Sequence, residues 1–235
     1  MVTDGLQAPV KPNELLASTV TPDGMRMTLS LHDGDYYIEI DGQGLMSTRA
    51  PGSEEALAHL AAQELAGNSH PRVLIGGLGL GFTLGAALDV LPRGATVVVA
   101  EFFETIVDWN RKFSFESATD RLGDPRVVVE VTDVVDYLRD VKRPFDAILL
   151  DVDNGPDAWC LESNSRLYSR PGLLRIQRAL KPGGVLAIWS AAGSPTFEKR
   201  LAEVGFAARS ESVRSRKRRG EHHTIFLARM PKRSK

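Results

Sequence analysis

The stretch Val73-Leu74-Ile75-Gly76-Gly77-Leu78-Gly79-Leu80-Gly81-Phe82 decides the fold. Three apolar residues run into a loop holding four glycines. The pattern predicts a short buried strand, a tight turn and a helix from Phe82 to Leu91. Without side chains, the loop lets a ligand lie against the backbone, and the helix start offers free N–H groups. The spacing does not fit the fingerprint G-x-G-x-x-G, because Gly77 and Gly79 would need a third glycine at 82, where Phe82 stands. The pattern is Gly-x-Gly-x-Gly.

Working outward, the same rhythm continues. Ala95–Ala100, Arg126–Val131, Phe145–Leu150 and Val185–Trp189 are short, nearly continuous apolar runs. A helix is predicted from about Gly172 to Leu180. Such strands separated by helices imply a mostly parallel sheet covered on both faces. After Gly205, Phe206–Val213 and Thr224–Met230 are predicted to form a C-terminal antiparallel hairpin around the basic run Arg214–Arg219. Upstream, residues 1–24 are expected to be a loose lead-in. Met25, Met27, Leu29 and Leu31 alternate, Asp33-Gly34 is a turn pair, and Tyr36, Ile38 and Ile40 alternate again, which predicts a β-hairpin. A helix with Ser53 as N-cap then carries the stripe Leu57, Leu60, Ala61 and Leu65, and ends at Gly67. The expected organisation is a small β-rich appendage with a linking helix at 1–67 and an α/β domain at 68–235.

The bulk numbers exclude several classes. The 235 residues are 43% hydrophobic with net charge −1. That allows a sizeable core and gives no global field toward nucleic acid or membrane. Residues 209–235 hold ten Lys/Arg against two Glu, so the rest of the chain is acidic. The run 214–219 leaves contact with phosphate open, though no aromatic residues interleave it to stack on bases. Cys160 is the single cysteine, so neither an intrachain disulfide nor a zinc cluster can be built. Adjacent His222 and His223 point to opposite faces of a strand and do not chelate one metal together. No signal segment and no run of about 18 apolar residues is visible, so a cytoplasmic protein without a membrane partner is expected.

Carboxylates stand at successive strand ends. Glu101 closes the second strand, placed to accept ribose hydroxyl protons, with Phe102 beside it. Asp133, followed by Val134, ends the third strand and is open to capping the next helix, to contacting adenine, or to both. Asp151 ends the fourth strand, followed by Asp153, Asn154 and Gly155-Pro156. An acidic cluster at that edge is placed to bind or deprotonate a nucleophile, or to make loop turns.

The glycine spacing is similar to that of class I S-adenosylmethionine methyltransferase-like Rossmann folds. The order of motifs over roughly residues 29 to 205 resembles the spermidine synthase family of aminopropyltransferases. The resembling segments are Asp41-Gly42, Glu55-Ala56-Leu57-Ala58-His59-Leu60, the glycine loop, Asp124-Pro125-Arg126-Val127, Phe145-Asp146-Ala147-Ile148-Leu149-Leu150-Asp151, Leu167-Tyr168-Ser169 and Ala179-Leu180-Lys181-Pro182-Gly183-Gly184. The resemblance implies S-adenosylmethionine, its decarboxylated form or methylthioadenosine as ligand, without a metal. It implies binding by Gly76, Gly77, Leu78, Gly79, Gly81, Glu101, Phe102, Asp133, Val134, Asp151 and Asp153, with Asp151 as the catalytic aspartate. A homodimer and a small-molecule acceptor are further implications.

The departures are systematic. Residues 76–81 lack the acid the family carries there, and Ser53 and Glu54 stand where it has a Tyr-His pair. Leu45 falls near a family Gln, Phe103 replaces a second acid, Asp151-Val152-Asp153-Asn154 replaces Asp-Ser-Thr-Asp, and Gly172-Leu173 replaces an aromatic pair. A diamine is a dication and needs several carboxylates, so the cofactor half of the site is better kept than the polyamine half. The leading expectation is a spermidine synthase-like transferase moving a methyl or alkyl group to a small acceptor. The alternatives are true aminopropyl transfer to a polyamine and a noncatalytic nucleoside-binding protein.

Overall fold

The computed structural model describes residues 13–113, 115, 120–152, 155–156, 162–216 and 220–232. The chain divides into two compact units, Met1–Arg49 and Ala50–Lys235.

In the first unit, β1 (Glu14–Val20), β2 (Arg26–His32), β3 (Asp35–Ile40) and β4 (Gln43–Ser47) form an antiparallel sheet in sequence order. The β2–β3 turn is Asp33-Gly34, with φ of 52° and 88°, the left-handed pair that matches strand twist. Asp41-Gly42 makes the next turn in the same way, with φ of 47° and 76°. Met27, Leu29 and Ile38 are fully buried on one face, as the alternation predicts. Residues 14–20 are a strand, where the sequence suggested a loose lead-in. β1 is an edge strand with a bulge between Leu15 and Ala17, so its apolar residues do not alternate cleanly and its pairing with β2 holds it.

The second unit is a seven-stranded sheet in the order β10-β11-β9-β8-β5-β6-β7. Its parallel part is β5 (Arg72–Gly76), β6 (Thr96–Glu101), β7 (Val127–Val131), β8 (Phe145–Leu150) and β9 (Leu180–Ser190). β11 (His222–Arg229) pairs antiparallel with β9, and β10 (Ala207–Arg214) with β11. The helices are α1 (Gly52–Glu64), α2 (Phe82–Val90), α3 (Glu104–Lys112), α4 (Val134–Tyr137), α5 (Glu162–Tyr168), α6 (Arg170–Ala179) and α7 (Pro195–Glu203). The central strands are buried because helices cover the sheet: Leu74, Val97, Ile148, Leu150, Leu186 and Ile188 are 0% exposed. This is the expected α/β Rossmann-type sheet with its antiparallel hairpin.

From β5 the chain steps outward to β6 and β7, then returns to place β8 on the other side of β5. The carboxyl ends of β5 and β8 therefore flank the point where strand order reverses, the usual ligand crevice of such sheets.

Two local expectations change. By its contacts α1 packs on α2, β9 and β10, so the compact unit begins at Ala50 although the sequence drew a boundary after Gly67. Ser53 does not cap α1. Pro51 occupies the cap position without a side-chain bond, the Gly52 N–H donates to the Ser215 carbonyl at 3.0 Å, and Ser53 is fully buried inside the helix. The end of the C-terminal hairpin thus takes the part of the capping group.

Candidate active site at the strand ends

The glycine loop begins where β5 ends. Gly77 has φ of 90°, and a Cβ there would stand 2.2 Å from the Asp151 carbonyl oxygen. Only glycine lets the ends of β5 and β8 come this close. Gly79 and Gly81 have φ of 51° and 85°, and Gly81 precedes α2 directly. Asn110 on α3 donates its Nδ2 to the Gly79 carbonyl at 2.7 Å and so fixes the loop from outside.

Glu101 is 6% exposed at the end of β6. Its Oε2 accepts the Leu78 N–H and its Oε1 the Phe103 N–H, each at 2.8 Å. Burial pushes its carboxyl up, and the N–H groups of Phe103, Leu78, Gly79 and Phe102 oppose that push. Phe102 is 51% exposed beside it and stands edge-on to Phe103 at 4.8 Å. Asp133 caps α4, its Oδ1 accepting the Val135 N–H at 2.7 Å. Val134 is buried under the loop, within 3.0 Å of where a Gly76 Cβ would be.

Asp151 follows β8, and its N–H donates to the Gly76 carbonyl at 2.9 Å. Its Oδ2 accepts the Thr83 hydroxyl at 2.6 Å. Protein packs closely round the carboxyl, and this burial, with the negative charge of Glu54, pushes it up to about 7; the Thr83 bond pulls the other way. Asp153 and Asn154 lie outside the described residues.

The structure adds a group that the sequence did not assemble. Glu54 on α1 accepts the Ser53 hydroxyl at 2.6 Å, and the Ser53 Oγ lies 2.9 Å from the Nδ1 of His223 on β11. Burial raises the Glu54 carboxyl, Ser53 and His223 lower it, and Glu55 adds to the rise. Sequence reasoning met Ser53 as a helix cap and, with Glu54, as a departure from a family pair, and Thr83 not at all. Thr83 did carry a signal, being a polar residue among the apolar ones of α2. His222, next to His223, turns the other way and bonds Ser212 at 3.1 Å.

A cleft of about 260 Å³ opens beside the loop, lined by Glu55, Leu80, Gly81, Phe82, Asn110 and Arg121 among others. Glu101 and Asp151 do not line it. Among the described residues, no three or more His, Cys, Asp or Glu are grouped to hold a metal, and no helix is long and apolar enough to cross a membrane.

Comparison with known proteins agrees with this architecture. Residues 51–209 match the Spermine/spermidine synthase domain. A polyamine aminopropyltransferase of Leptospira biflexa is 30% identical over 154 residues, 63% of this chain and 50% of that one. Putrescine N-methyltransferase 2 of Nicotiana tabacum is 32% identical over 118 residues, 49% of this chain and 31% of that one. The chain thus spans half or less of the length of these relatives. The spermidine synthase from Thermotoga maritima superposes with a TM-score of 0.73 at 18% identity, covering 97% of this chain and 84% of that one. A spermidine synthase in complex with the transition state analogue AdoDATO gives 0.72, also at 18% identity. These two likenesses speak for the fold. The domain match takes in more than half of the chain and all of the glycine loop, Glu101 and Asp151, and on that ground the chain belongs to the spermine/spermidine synthase family.

Proposed function

We propose that the protein is a transferase that binds S-adenosylmethionine or its decarboxylated form and passes a methyl or aminopropyl group to a small amine. Asp151 carries this reading: a carboxyl pushed up to about 7 at the sheet edge that holds the glycine loop. A primary amine has a pKa of ~10 and must lose a proton before it attacks. A carboxylate whose pKa lies near neutrality takes that proton more readily than an ordinary one.

The donor set suits the nucleoside. A carboxylate at the end of β6 beside the glycine loop suits a ribose diol, and an exposed aromatic ring with an apolar floor suits a purine. In this reading Glu101 holds the ribose, Phe102 and Val134 flank the base, and the backbone of Gly76–Gly81 makes room for the rest. When bound, the sulfonium supplies an electrophilic carbon. The relatives named for aminopropyl transfer and for putrescine N-methylation support an amine acceptor. A homodimer, expected from the resemblance, belongs to the same proposal and is checked by sedimentation.

Calorimetry against S-adenosylmethionine, its decarboxylated form, methylthioadenosine and NAD tests the ligand, followed by product analysis with small amines. Binding of one of the first three and not NAD is expected; binding of NAD alone overturns the reading. Asp151→Asn is expected to lower turnover by roughly 10²–10⁴ with cofactor affinity nearly unchanged, the range for a general base. Full activity in the variant removes Asp151 from the mechanism.

A further inference from the structure

We propose that Ser53 and His223 carry away the proton given up by the acceptor amine, along the path from Glu54 Oε2 through Ser53 Oγ to His223 Nδ1, and from His223 Nε2 to solvent. The proposal rests on the reading of Asp151 as the base. Glu54, Ser53 and His223 are linked by contacts of 2.6 and 2.9 Å. Ser53 is fully buried, so bulk water does not replace it as the middle link. The far ring nitrogen of His223 lies 3.9 Å from the carboxylate of Glu221, which is 92% exposed. Trp189 on β9 braces the imidazole at 4.8 Å between ring centroids. The chain therefore runs from a half-buried acid to the surface.

Hydrogen counting makes this a conductor as well as a brace. A serine hydroxyl has one hydrogen. With that hydrogen on Glu54, Nδ1 must hold its own and donate it to Ser53 Oγ. With Glu54 protonated, the polarity reverses: Glu54 donates to Oγ, and Oγ donates to Nδ1. Passing from the second state to the first breaks the Glu54 O–H and forms a new Oγ–H. The old Oγ–H breaks and Nδ1–H forms. The imidazole then carries two protons and releases the one on Nε2. One proton has moved outward and Ser53 is unchanged.

The inner end of the path is the pair Asp151 and Glu54. The Thr83 hydroxyl is bonded to the Asp151 carboxyl and lies 3.4 Å from the Glu54 backbone carbonyl, which holds the two residues side by side without linking their carboxyls. Both carboxyls are raised by burial, and Glu54 adds its charge to the rise at Asp151. Among the described residues, the titratable groups facing Glu54 are Asp151 after β8, Glu55 on α1 and His223 on β11. Such a pair holds one proton more easily than two negative charges. A second proton arriving from the amine then needs an exit, and the hydroxyl of Ser53 is bonded directly to Glu54.

The first test needs no turnover. Side-chain NMR follows the Glu54 carboxyl and both His223 ring nitrogens through a pH titration of the full-length protein. The proposal requires the Nδ1 signal to change between donor and acceptor type as Glu54 takes its proton, and Ser53→Ala to uncouple the two. Independent titration in the wild type overturns it. The second test uses His223→Gln, whose amide still donates to Ser53 but cannot take a further proton. With the amine acceptor found by product analysis, turnover is expected to fall roughly tenfold or more, with unchanged cofactor affinity and partial rescue by added imidazole. Wild-type turnover and pH profile in this variant overturn the relay. Coupled titration in a protein that alkylates no amine leaves the path standing and sinks the transferase reading instead.

Discussion

At Asp151 the burial that the proposed proton transfer relies on weakens the folded state. The carboxyl stands at about 7 in the protein, against an ordinary 3.8. Well below pH 4 it is protonated whether the chain is folded or not, and burial costs nothing. As pH rises from about 4 to 7, the unfolded chain ionises while the folded one holds its proton, so stability falls across that window and stays low above it. Asp151→Asn removes the penalty. Its melting temperature is expected to exceed that of the wild type at pH 8, by up to ~4 kcal/mol in stability, with the gap closing toward pH 4. Equal melting curves at pH 8 contradict the burial argument. Glu101 behaves differently, because backbone N–H groups occupy both of its oxygens. Glu101→Gln must turn an NH₂ toward either Leu78 or Phe103, donor against donor. Nucleoside affinity is expected to fall by about 1.5–3 kcal/mol, and the unliganded protein to melt earlier as well. Unchanged melting means that the loop does not depend on this carboxylate.

Among the elements, the glycine loop is where the ends of β5 and β8 lie too close for a side chain at Gly77. Gly77 combines a left-handed φ with a carbonyl oxygen 2.2 Å from a would-be Cβ, whereas Gly67 has φ of 86° and nothing within 4 Å. Gly67→Ala meets only the backbone cost of about 1–2 kcal/mol. Gly77→Ala adds a collision with the backbone of Asp151, so its melting temperature should fall further than that of Gly67→Ala; equal losses count against the close approach. This loop was legible because its glycines, the apolar run before them and the helix after them all agree. The β2–β3 hairpin was legible for a similar reason, since alternation and Asp33-Gly34 point the same way. β1 was not, because an edge strand with a bulge carries little alternation. Ser53 was misjudged because a serine near a helix start looks like a cap, and sequence does not show that a hairpin far along the chain supplies the capping carbonyl at Ser215.

On the scale of the whole molecule, the candidate site divides by how far its parts travel along the chain. Glu101, Asp133 and Asp151 each end a strand, so the repeating strand–helix pattern alone brings them to one edge. Glu54, Thr83 and His223 come from α1, α2 and β11, and only the packed unit joins them to Asp151. This division bears on which group is transferred. Decarboxylated S-adenosylmethionine ends in an amine that calls for an acid near the glycine loop, and residues 76–81 hold none. S-adenosylmethionine ends in an amino acid whose carboxylate would meet a like charge if such an acid were present. On the acceptor side, the paired carboxyls Glu54 and Asp151 suit one ammonium group better than the two of a diamine. With putrescine, decarboxylated S-adenosylmethionine is therefore expected to give little spermidine, and S-adenosylmethionine to be the better donor, with small monoamines at least as good as putrescine. Mass spectrometry of reactions run side by side measures this. Spermidine formed at an ordinary enzymatic rate of ~1 s⁻¹ or more would show that acids elsewhere in the chain hold the second amine.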